Sequence, residues 1–302
     1  MKKFALLLMS LLMVSAFAIA QKKLCLHTIY GEKIEYMASD IAYIDFEDAV
    51  TDPDDDPVAP ETGAFVAMPF SVGENKTVTF SFGNLQYHAA NDEWRFAPSQ
   101  IDYIGEDNAN ISATYNGWID LFGWGTGNNP TNISTDNEDY HTFVDWGVNK
   151  IGNYAPNTWR TLTYDEWDFV INRRKNADKL FGVALVNGVT GFILLPDGWT
   201  SPSGISFKPG FHEYNGIEYY GEYQIISASD WSRLEASGAV FLPATSYYRG
   251  GSSVGSIQGR GSLWSATSTS EDDAYILEFV SAGAGMCYYD RFIGYSVRLV
   301  QD

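Results

Sequence analysis

The stretch WRTLTYDEWDFVINRRK at residues 159–175 predicts a short helix in a chain whose other segments mostly have the pattern of strands. Thr163 can accept a hydrogen bond from the backbone of Glu166, and the Glu166 carboxylate can reach back to the Thr163 N–H. This capping box marks the beginning of the helix. One apolar face follows at helical spacing, formed by Trp167, Val170 and Ile171.

A second helix is predicted from Ser227, which can cap it, to Gly238, which can end it. Strand patterns dominate elsewhere: residues 77–82 alternate, and residues 85–88 and 93–96 flank a short turn as in a hairpin. Further strands are predicted at 274–279 and 295–300. Two helices among many short strands predict an α+β domain. Its core is expected to hold Trp167, Trp231 and Trp264.

The N-terminus has the three parts of a secretory signal peptide. Lys2 and Lys3 are basic, residues 4–17 are almost all apolar, and Ala18-Ile19-Ala20 is a small-x-small cleavage signal. The apolar run is shorter than the roughly 20 residues that a membrane-spanning helix needs. We therefore expect residues 1–20 to be removed and the protein to be exported to the cell surface or the extracellular space, with the periplasm as the alternative.

Composition divides the rest of the chain into three parts. Residues 21–50 have short alternating runs, which predict a small β preamble. Residues 51–64 are rich in aspartate and proline, a composition typical of a linker. Residues 65–302 are predicted to form the main domain, which contains no internal repeat.

The chain is strongly acidic, with 19 basic and 38 acidic residues and a net charge of -19. An acidic surface without a basic stripe repels phosphate backbones, so nucleic acid is not expected as a partner. The two cysteines, Cys25 and Cys287, could form one disulfide but not a disulfide scaffold. The 9 Trp, 19 Tyr and 18 Phe are too many for all of them to be buried, so some rings are expected at the surface.

No residue pattern predicts a catalytic centre. Residues 251–255 match G-x-S-x-G, but a nucleophile elbow needs a strand before the serine and a helix after it, and neither is predicted. His141 lies near Asp139 and Asp145, which could orient it, and we interpret it as a loop histidine. We interpret Cys287 as a buried or incidental thiol. The sequence therefore predicts no catalytic residue and no cofactor.

No metal site is predicted either. Asp52, Asp54 and Asp56 resemble the first ligands of a calcium loop, but Pro57 stands where that loop needs a glycine. Residues 271–273 are acidic and precede a strand. We interpret them as a solvated acidic turn; the alternative is that they contribute ligands to a calcium site. The four histidines are too widely spaced to pair as ligands.

Aromatic and polar residues near the end of the chain are the candidate ligand-binding site. Residues 280–293 have no stable period and are predicted to be an irregular, solvent-exposed segment. Tyrosine and arginine suit recognition surfaces, although the same rings could pack the edge of the domain core. Neighbouring strand residues point to opposite faces, so one of Tyr288 and Tyr289 is expected to be exposed. The candidate ligand-binding residues are Tyr247, Tyr248, Arg249, Met286, Tyr288, Tyr289, Asp290, Arg291, Phe292 and Tyr295.

An ordered set of motifs carries a family resemblance. The motifs are FSxGNLQY at 80–87, WRF at 94–96, LFGWG at 121–125, WRTLTxxEW at 159–167, LPDxW at 195–199, FLPA at 241–244, WSAT at 264–267 and SVRL at 296–299. In this order they resemble the exported major paralogous domain proteins of Bacteroidetes and Fibrobacter, which are related in fold to formylglycine-generating enzymes and C-type lectin-like domains. The likeness covers nearly all of 65–302. It implies a C-type lectin-like fold with two helices, a twisted antiparallel sheet and a long irregular loop region.

The resemblance has three functional implications. Formylglycine-generating enzymes hold copper with a close pair of cysteines, whereas this chain has Cys287 alone in its C-terminal part. C-type lectins bind calcium through Glu-Pro-Asn and Trp-Asn-Asp motifs, and neither motif occurs here. Variable proteins diversified by retroelements are similar at 264–266, 274–275 and 294–298. In them the stretch before the last strand is the hypervariable ligand surface, which would be 280–293 in this chain.

These observations predict an exported, adhesin-like protein at the cell surface that binds a protein or a glycan and is not an enzyme. Two alternatives stay open. One is an enzyme of the formylglycine-generating superfamily with a non-standard site. The other is a structural subunit of a surface appendage, whose preamble strands would pair with another subunit. The sequence predicts neither the identity of the ligand nor the oligomeric state.

Overall fold

The structure, a computed structural model, describes residues 23–27, 33–37, 68–210, 224–245, 247–249, 254–255, 259–280 and 283–302. The chain divides into two compact units, Met1–Pro57 and Val58–Asp302. In the first unit, β1 (Lys23–His27) and β2 (Lys33–Met37) form an antiparallel hairpin. The predicted signal peptide and the predicted linker at 51–64 lie outside the described residues.

The second unit is a mixed α+β domain, made mostly of sheets with few helices, as the sequence predicts. Its strands are β3 (Phe70–Gly73), β4 (Lys76–Phe80), β5 (Leu85–His88), β6 (Glu93–Phe96), β7 (Trp118–Ile119), β8 (Arg160–Thr161), β9 (Phe181–Val186), β10 (Val189–Leu194), β11 (Gln224–Ile226), β12 (Val240–Pro243), β13 (Tyr247–Tyr248), β14 (Val254–Gly255), β15 (Gly261–Ser268), β16 (Asp273–Val280), β17 (Gly283–Asp290) and β18 (Leu299–Gln301). Its α-helices are α1 (Tyr164–Asp168) and α2 (Ala228–Ala236), and short 3-10 helices lie at Gly105–Asn110, Asn137–Tyr140, Trp146–Val148 and Ala177–Lys179. None of the helices in the described part of the chain has the length and apolarity needed to cross a bilayer.

Both α-helices begin where the sequence predicts. The Thr163 hydroxyl accepts from the Glu166 N–H at 3.3 Å and the Thr163 N–H donates to the Glu166 carboxylate at 2.9 Å, so the capping box is confirmed. α1 continues as a π-helical turn at Phe169–Arg173. Ser227 caps α2 through its hydroxyl, and Gly238, whose φ is 91°, follows the end of that helix.

The predicted hairpin near the start of the domain is also confirmed. β5 and β6 are antiparallel, with Leu85 opposite Phe96 and His88 opposite Glu93. Asp92 in the connecting turn has a φ of 52°, a left-handed conformation that aspartate adopts more easily than most residues. β5 pairs on its other edge with β7, which makes a three-stranded sheet.

Strand β18 joins the last residues of the domain to its first strands. Val300 lies opposite Phe80 of β4, and β8 pairs with the other edge of β18. The sheet order is therefore β3-β4-β18-β8. The strand predicted at 295–300 is shorter than expected, because only Leu299–Gln301 is regular and the residues before it form isolated bridges.

Residues 280–293 are not the irregular segment that the sequence predicts. β17 occupies most of this segment and pairs with β16 along its whole length, from Val280 opposite Gly283 to Asp273 opposite Asp290. The sequence of β17, GAGMCYYD, does not alternate between apolar and polar residues, because it contains two glycines and two adjacent tyrosines. Its pairing partner stabilises it as a strand, which a local pattern does not reveal.

The sheet β15-β16-β17 separates two apolar cores. Trp264 and Ile276 belong to one core, and their neighbours Leu263 and Leu277 belong to the other. Alternate residues of a strand point to opposite faces, so each strand contributes to both cores. We call the side with Trp264 the first-core face and the side with Leu263 the second-core face. The predicted core tryptophans are all buried: Trp167, Trp231 and Trp264.

Candidate ligand-binding site

A surface cavity of about 160 Å³ lies beside β13 and the sheet β15-β16-β17. Five of its lining residues belong to the set predicted from the sequence: Tyr247, Arg249, Tyr289, Asp290 and Tyr295. The lining is completed by Arg260, Ser262, Glu278 and Ile293. We call this cavity the tyrosine pocket.

An ion pair forms the polar wall of the tyrosine pocket. Arg260 Nη2 donates to Glu278 Oε1 at 2.5 Å and to the Tyr289 hydroxyl oxygen at 3.2 Å. The Tyr289 hydroxyl donates in turn to Glu278 Oε2 at 3.4 Å. The hydrogen bond to Glu278 raises the pKa of Arg260, and burial beside that carboxylate raises the pKa of Tyr289. At neutral pH this wall therefore holds a guanidinium cation and a protonated tyrosine hydroxyl.

Tyrosine rings form the other wall. The centroid of the buried Tyr295 ring lies 5.9 Å from that of Tyr289 and 6.5 Å from that of Tyr247. Trp264 supports Tyr295 from the first core, with 5.1 Å between ring centroids in an edge-to-face arrangement. Tyr295 thus holds the two partly exposed rings in place. Rings that carry a hydroxyl offer a ligand both apolar contact and hydrogen bonds.

Tyr295 is buried and lines the pocket. Two other predicted ligand-contacting residues are buried and do not line it, which corrects the expectation that they face a ligand: Tyr248 and Arg291. Arg291 is only 5% exposed, and it donates to the backbone oxygens of Tyr140 and Ser270. Its guanidinium also lies 4.5 Å from the centre of the Trp124 ring. Tyr248 bridges to Gly294 through the backbone. These side chains hold loops in place instead of meeting solvent.

Two more predicted residues lie on the second-core face, away from the pocket. Tyr288 is 60% exposed and is the exposed member of the tyrosine pair, while Met286 packs against the second core. Tyr288 ends a row of rings, 6.3 Å from Tyr275, which is 4.4 Å from Tyr164. Phe292 packs partly against the first core. The structure therefore divides the predicted set among the pocket, the opposite face and the interior.

Cys287 and His141, which the sequence singled out, show no arrangement typical of a catalytic centre in the described residues. Cys287 is a free cysteine with its Sγ 3.9 Å from Glu278 Oε1. Burial and that carboxylate raise the pKa of Cys287, which keeps the thiol protonated at neutral pH. His141 is exposed, and its Nδ1 lies 2.6 Å from the Glu138 carbonyl oxygen. Within the described residues, no group of three or more His, Cys, Asp or Glu could hold a metal ion.

The remaining patterns singled out in the sequence are only partly described. The acidic turn at 271–273 is closed by Ser270, whose hydroxyl accepts from the Asp273 N–H at 2.9 Å. Residues 251–253 of the G-x-S-x-G match lie outside the described residues, and Val254–Gly255 forms the short strand β14. Asp52, Asp54 and Asp56 also lie outside the described residues.

The predicted set of residues missed four that line the pocket: Arg260, Ser262, Glu278 and Ile293. The signal for two of them lies between strands, because Ser262 stands opposite Glu278 in the β15–β16 register and the two therefore share a face. No single strand shows that relationship.

A second cavity, of about 350 Å³, was also not predicted. It lies between Trp124 and an asparagine-rich loop that includes Asn128, Asn129 and Asn132, with the exposed His141 at its border.

Comparison of the chain with protein-family models, with curated proteins and with solved structures finds no match. The function is therefore inferred from the geometry and the sequence.

Proposed function

We propose that this chain is an exported, adhesin-like protein of the cell surface that binds a protein or a glycan in the tyrosine pocket. The observation that supports this most directly is the meeting of Tyr247 and Tyr289 with the Arg260–Glu278 ion pair in one surface cavity. The signal-peptide pattern of residues 1–20 supports export.

The tyrosine pocket combines the contacts that a polar, ring-shaped ligand needs. Tyr247 and Tyr289 are partly exposed, so a ligand can lie against their rings. The exposed Arg249 donates hydrogen bonds and Asp290 accepts them. A sugar ring has one apolar face and several hydroxyls, and a protein loop can present the same combination. Both ligand classes therefore fit this proposal.

The proposal includes a C-type lectin-like fold for residues 65–302. Its support is the ordered set of motifs from FSxGNLQY at 80–87 to SVRL at 296–299, together with two short helices and antiparallel sheets. The pocket also borders the segment 280–293, which corresponds to the variable ligand surface of the retroelement-diversified proteins that the chain resembles.

A glycan array and a pull-down from host or bacterial surface material would identify the ligand. The double variant Tyr247→Ala/Arg249→Ala is expected to weaken binding by about tenfold or more, because it removes one ring and one donor from the pocket. Its Tm should fall by only a few degrees, since Arg249 is exposed and Tyr247 is only partly buried against the first core.

The matched control is Tyr288→Ala, which removes an exposed tyrosine from β17, on the face of that strand opposite the pocket residue Tyr289. It should keep full affinity for the pocket ligand. Equal loss of binding in the control and the double variant would contradict the proposal. Stoichiometric copper in the purified protein would favour the enzyme alternative instead.

A further inference from the structure

The outer edge of β17 carries backbone groups that no described residue pairs with. β17 is the last strand of the sheet β15-β16-β17, and β16 is its strand partner. The Arg291 N–H donates to the backbone carbonyl oxygen of Asp272 at 2.9 Å. These two residues are the next opposite pair after Asp290 and Asp273, so they continue the β16–β17 register. Hydrogen-bonded pairs alternate along an antiparallel ladder, so the odd-numbered residues of β17 bond to β16. The even-numbered residues Ala284, Met286 and Tyr288 therefore direct their N–H and C=O groups outward.

Among the described residues, this edge lacks the features that usually protect an open strand. Its sequence, GAGMCYYD, contains no lysine and no proline, and Asp290 at its end is its one charged residue. Proteins normally protect long edge strands with charges, prolines, bulges or a covering segment, because an open edge pairs readily with another strand. The β16–β17 register is continuous over all eight residues of β17 without a bulge.

The edge of β17 leaves room for an incoming strand at particular positions on each face. Among the described residues, a Cβ atom built at Gly283 or Gly285 would meet no atom within 4 Å, so the first-core face leaves room at these two glycines. On the second-core face, Tyr288 is 60% exposed and presents its ring beside the edge. An added strand could place long side chains over the glycines and apolar side chains against the tyrosine.

Charge indicates which strand this edge would accept. The acidic turn 271–273 lies next to the end of β17, because Asp273 stands opposite Asp290. The whole chain carries a net charge of -19, which disfavours a second copy and favours a cationic partner.

We propose that the β17 edge is a docking site for an extended cationic segment of a partner protein, which adds to the sheet as a fourth strand. Its apolar side chains alternate with lysine or arginine, and its backbone bonds to Ala284, Met286 and Tyr288. Ala284, Met286 and Tyr288 do not line the tyrosine pocket, so the two proposals can fail independently.

The test uses the full chain and a fluorescent octapeptide of alternating lysine and valine. Amide hydrogen exchange by NMR reports the pairing directly. In the free protein the amides of Gly285, Cys287 and Tyr289 are expected to be protected and those of Ala284, Met286 and Tyr288 to exchange fast. Binding of the peptide should slow hydrogen exchange at the amides of Ala284, Met286 and Tyr288. A lysine–valine peptide of equal charge interrupted by prolines, which cannot form a strand, should not protect them.

Ala284→Pro is the variant that tests the edge by affinity. It removes an outward N–H without removing a ladder bond to β16, and proline is tolerated on edge strands. Peptide binding, followed by fluorescence anisotropy, should weaken by about tenfold, whereas Tyr288→Phe keeps the ring and should bind as the native chain does.

Three results would overturn the proposal. The first is protection of the even-numbered amides without peptide, which would mean that the edge is already covered. The second is equal affinity for the proline-interrupted peptide. The third is protection that depends on protein concentration, which would make a second copy the occupant. If Ala284→Pro fails to fold, the exchange pattern of the native chain still decides the question.

Discussion

Arg298 Nη2 donates to the side-chain oxygen of Gln100 at 3.0 Å, and both side chains are fully buried. The same guanidinium donates to Asn84 Oδ1 and to the Phe241 carbonyl oxygen, each at 3.2 Å. Gln100 donates in turn to the Glu235 carboxylate at 2.9 Å. Burial lowers the pKa of Arg298 to about 9, which leaves the guanidinium charged at neutral pH. One buried cation therefore connects β12, α2 and the segment before β18.

Arg298→Met should lower the free energy of unfolding by about 3 kcal/mol, because it leaves buried oxygen acceptors without their donor. Urea denaturation at neutral pH measures the loss. The matched control is Arg249→Met, at an exposed arginine, which should change stability by less than about 0.5 kcal/mol. Similar losses in both variants would contradict a structural role for the buried network.

Asp120 should make the protein more stable at pH 5 than at pH 7. It is fully buried, and burial raises its pKa to about 6 although Ile104 and Asn108 donate hydrogen bonds to it. Between the ordinary pKa of 3.8 and about 6, Asp120 is protonated in the folded state and ionised in the unfolded state. The free energy of unfolding therefore falls as pH rises through this range. The expected gain on acidification from pH 7 to pH 5 is about 1 kcal/mol.

Asp120→Asn isolates this contribution, since the pKa values of Asp145 and Glu235 are also raised by burial and shift stability in the same direction. The variant should lose most of the gain between pH 7 and pH 5 in urea denaturation. Glu166 acts in the opposite sense, because its pKa is lowered in the folded state. The ionised Glu166 stabilises the fold at neutral pH, and this stabilisation is lost only as the solution becomes more acidic than its ordinary pKa. Stability that decreases from pH 7 to pH 5 would show that the prediction is wrong.

Arg291→Ala should destabilise the fold without changing the affinity of the folded protein for its ligand. The substitution removes hydrogen bonds to two backbone oxygens and a guanidinium that lies over Trp124, which together are worth about 2 kcal/mol. Thermal unfolding and a binding titration below the Tm separate the two effects. Normal stability combined with lost binding would make Arg291 a ligand contact after all.

Local signals in the sequence predicted local structure well. The capping box of Thr163 and Glu166 depends on residues three positions apart, so the sequence alone locates the start of α1. The hairpin of β5 and β6 likewise depends on two neighbouring runs and a short turn. Burial of the large tryptophans follows from their size and apolarity.

The candidate site was predicted less well, because its geometry depends on pairing between strands. Tyr288 and Tyr289 are adjacent in the sequence, yet β17 sends one to solvent on one face and the other to the pocket on the opposite face. Glu278 enters the pocket through its register with Ser262. Arginine is usually found at the surface, and Arg291 is buried because it bonds to the loops of Tyr140 and Ser270 and lies over the Trp124 ring. Such relationships need the folded chain.

The position of β18 between β4 and β8 has a consequence for biosynthesis. A nascent chain that has released every residue up to 298 from the ribosome still lacks the strand that holds these two partners together. The sheet can therefore close only after residues 299–301 have been synthesised, and pairing over so great a sequence separation is slow. Until then β4 and β8 have no common partner, so this sheet cannot be complete before the end of the domain is available.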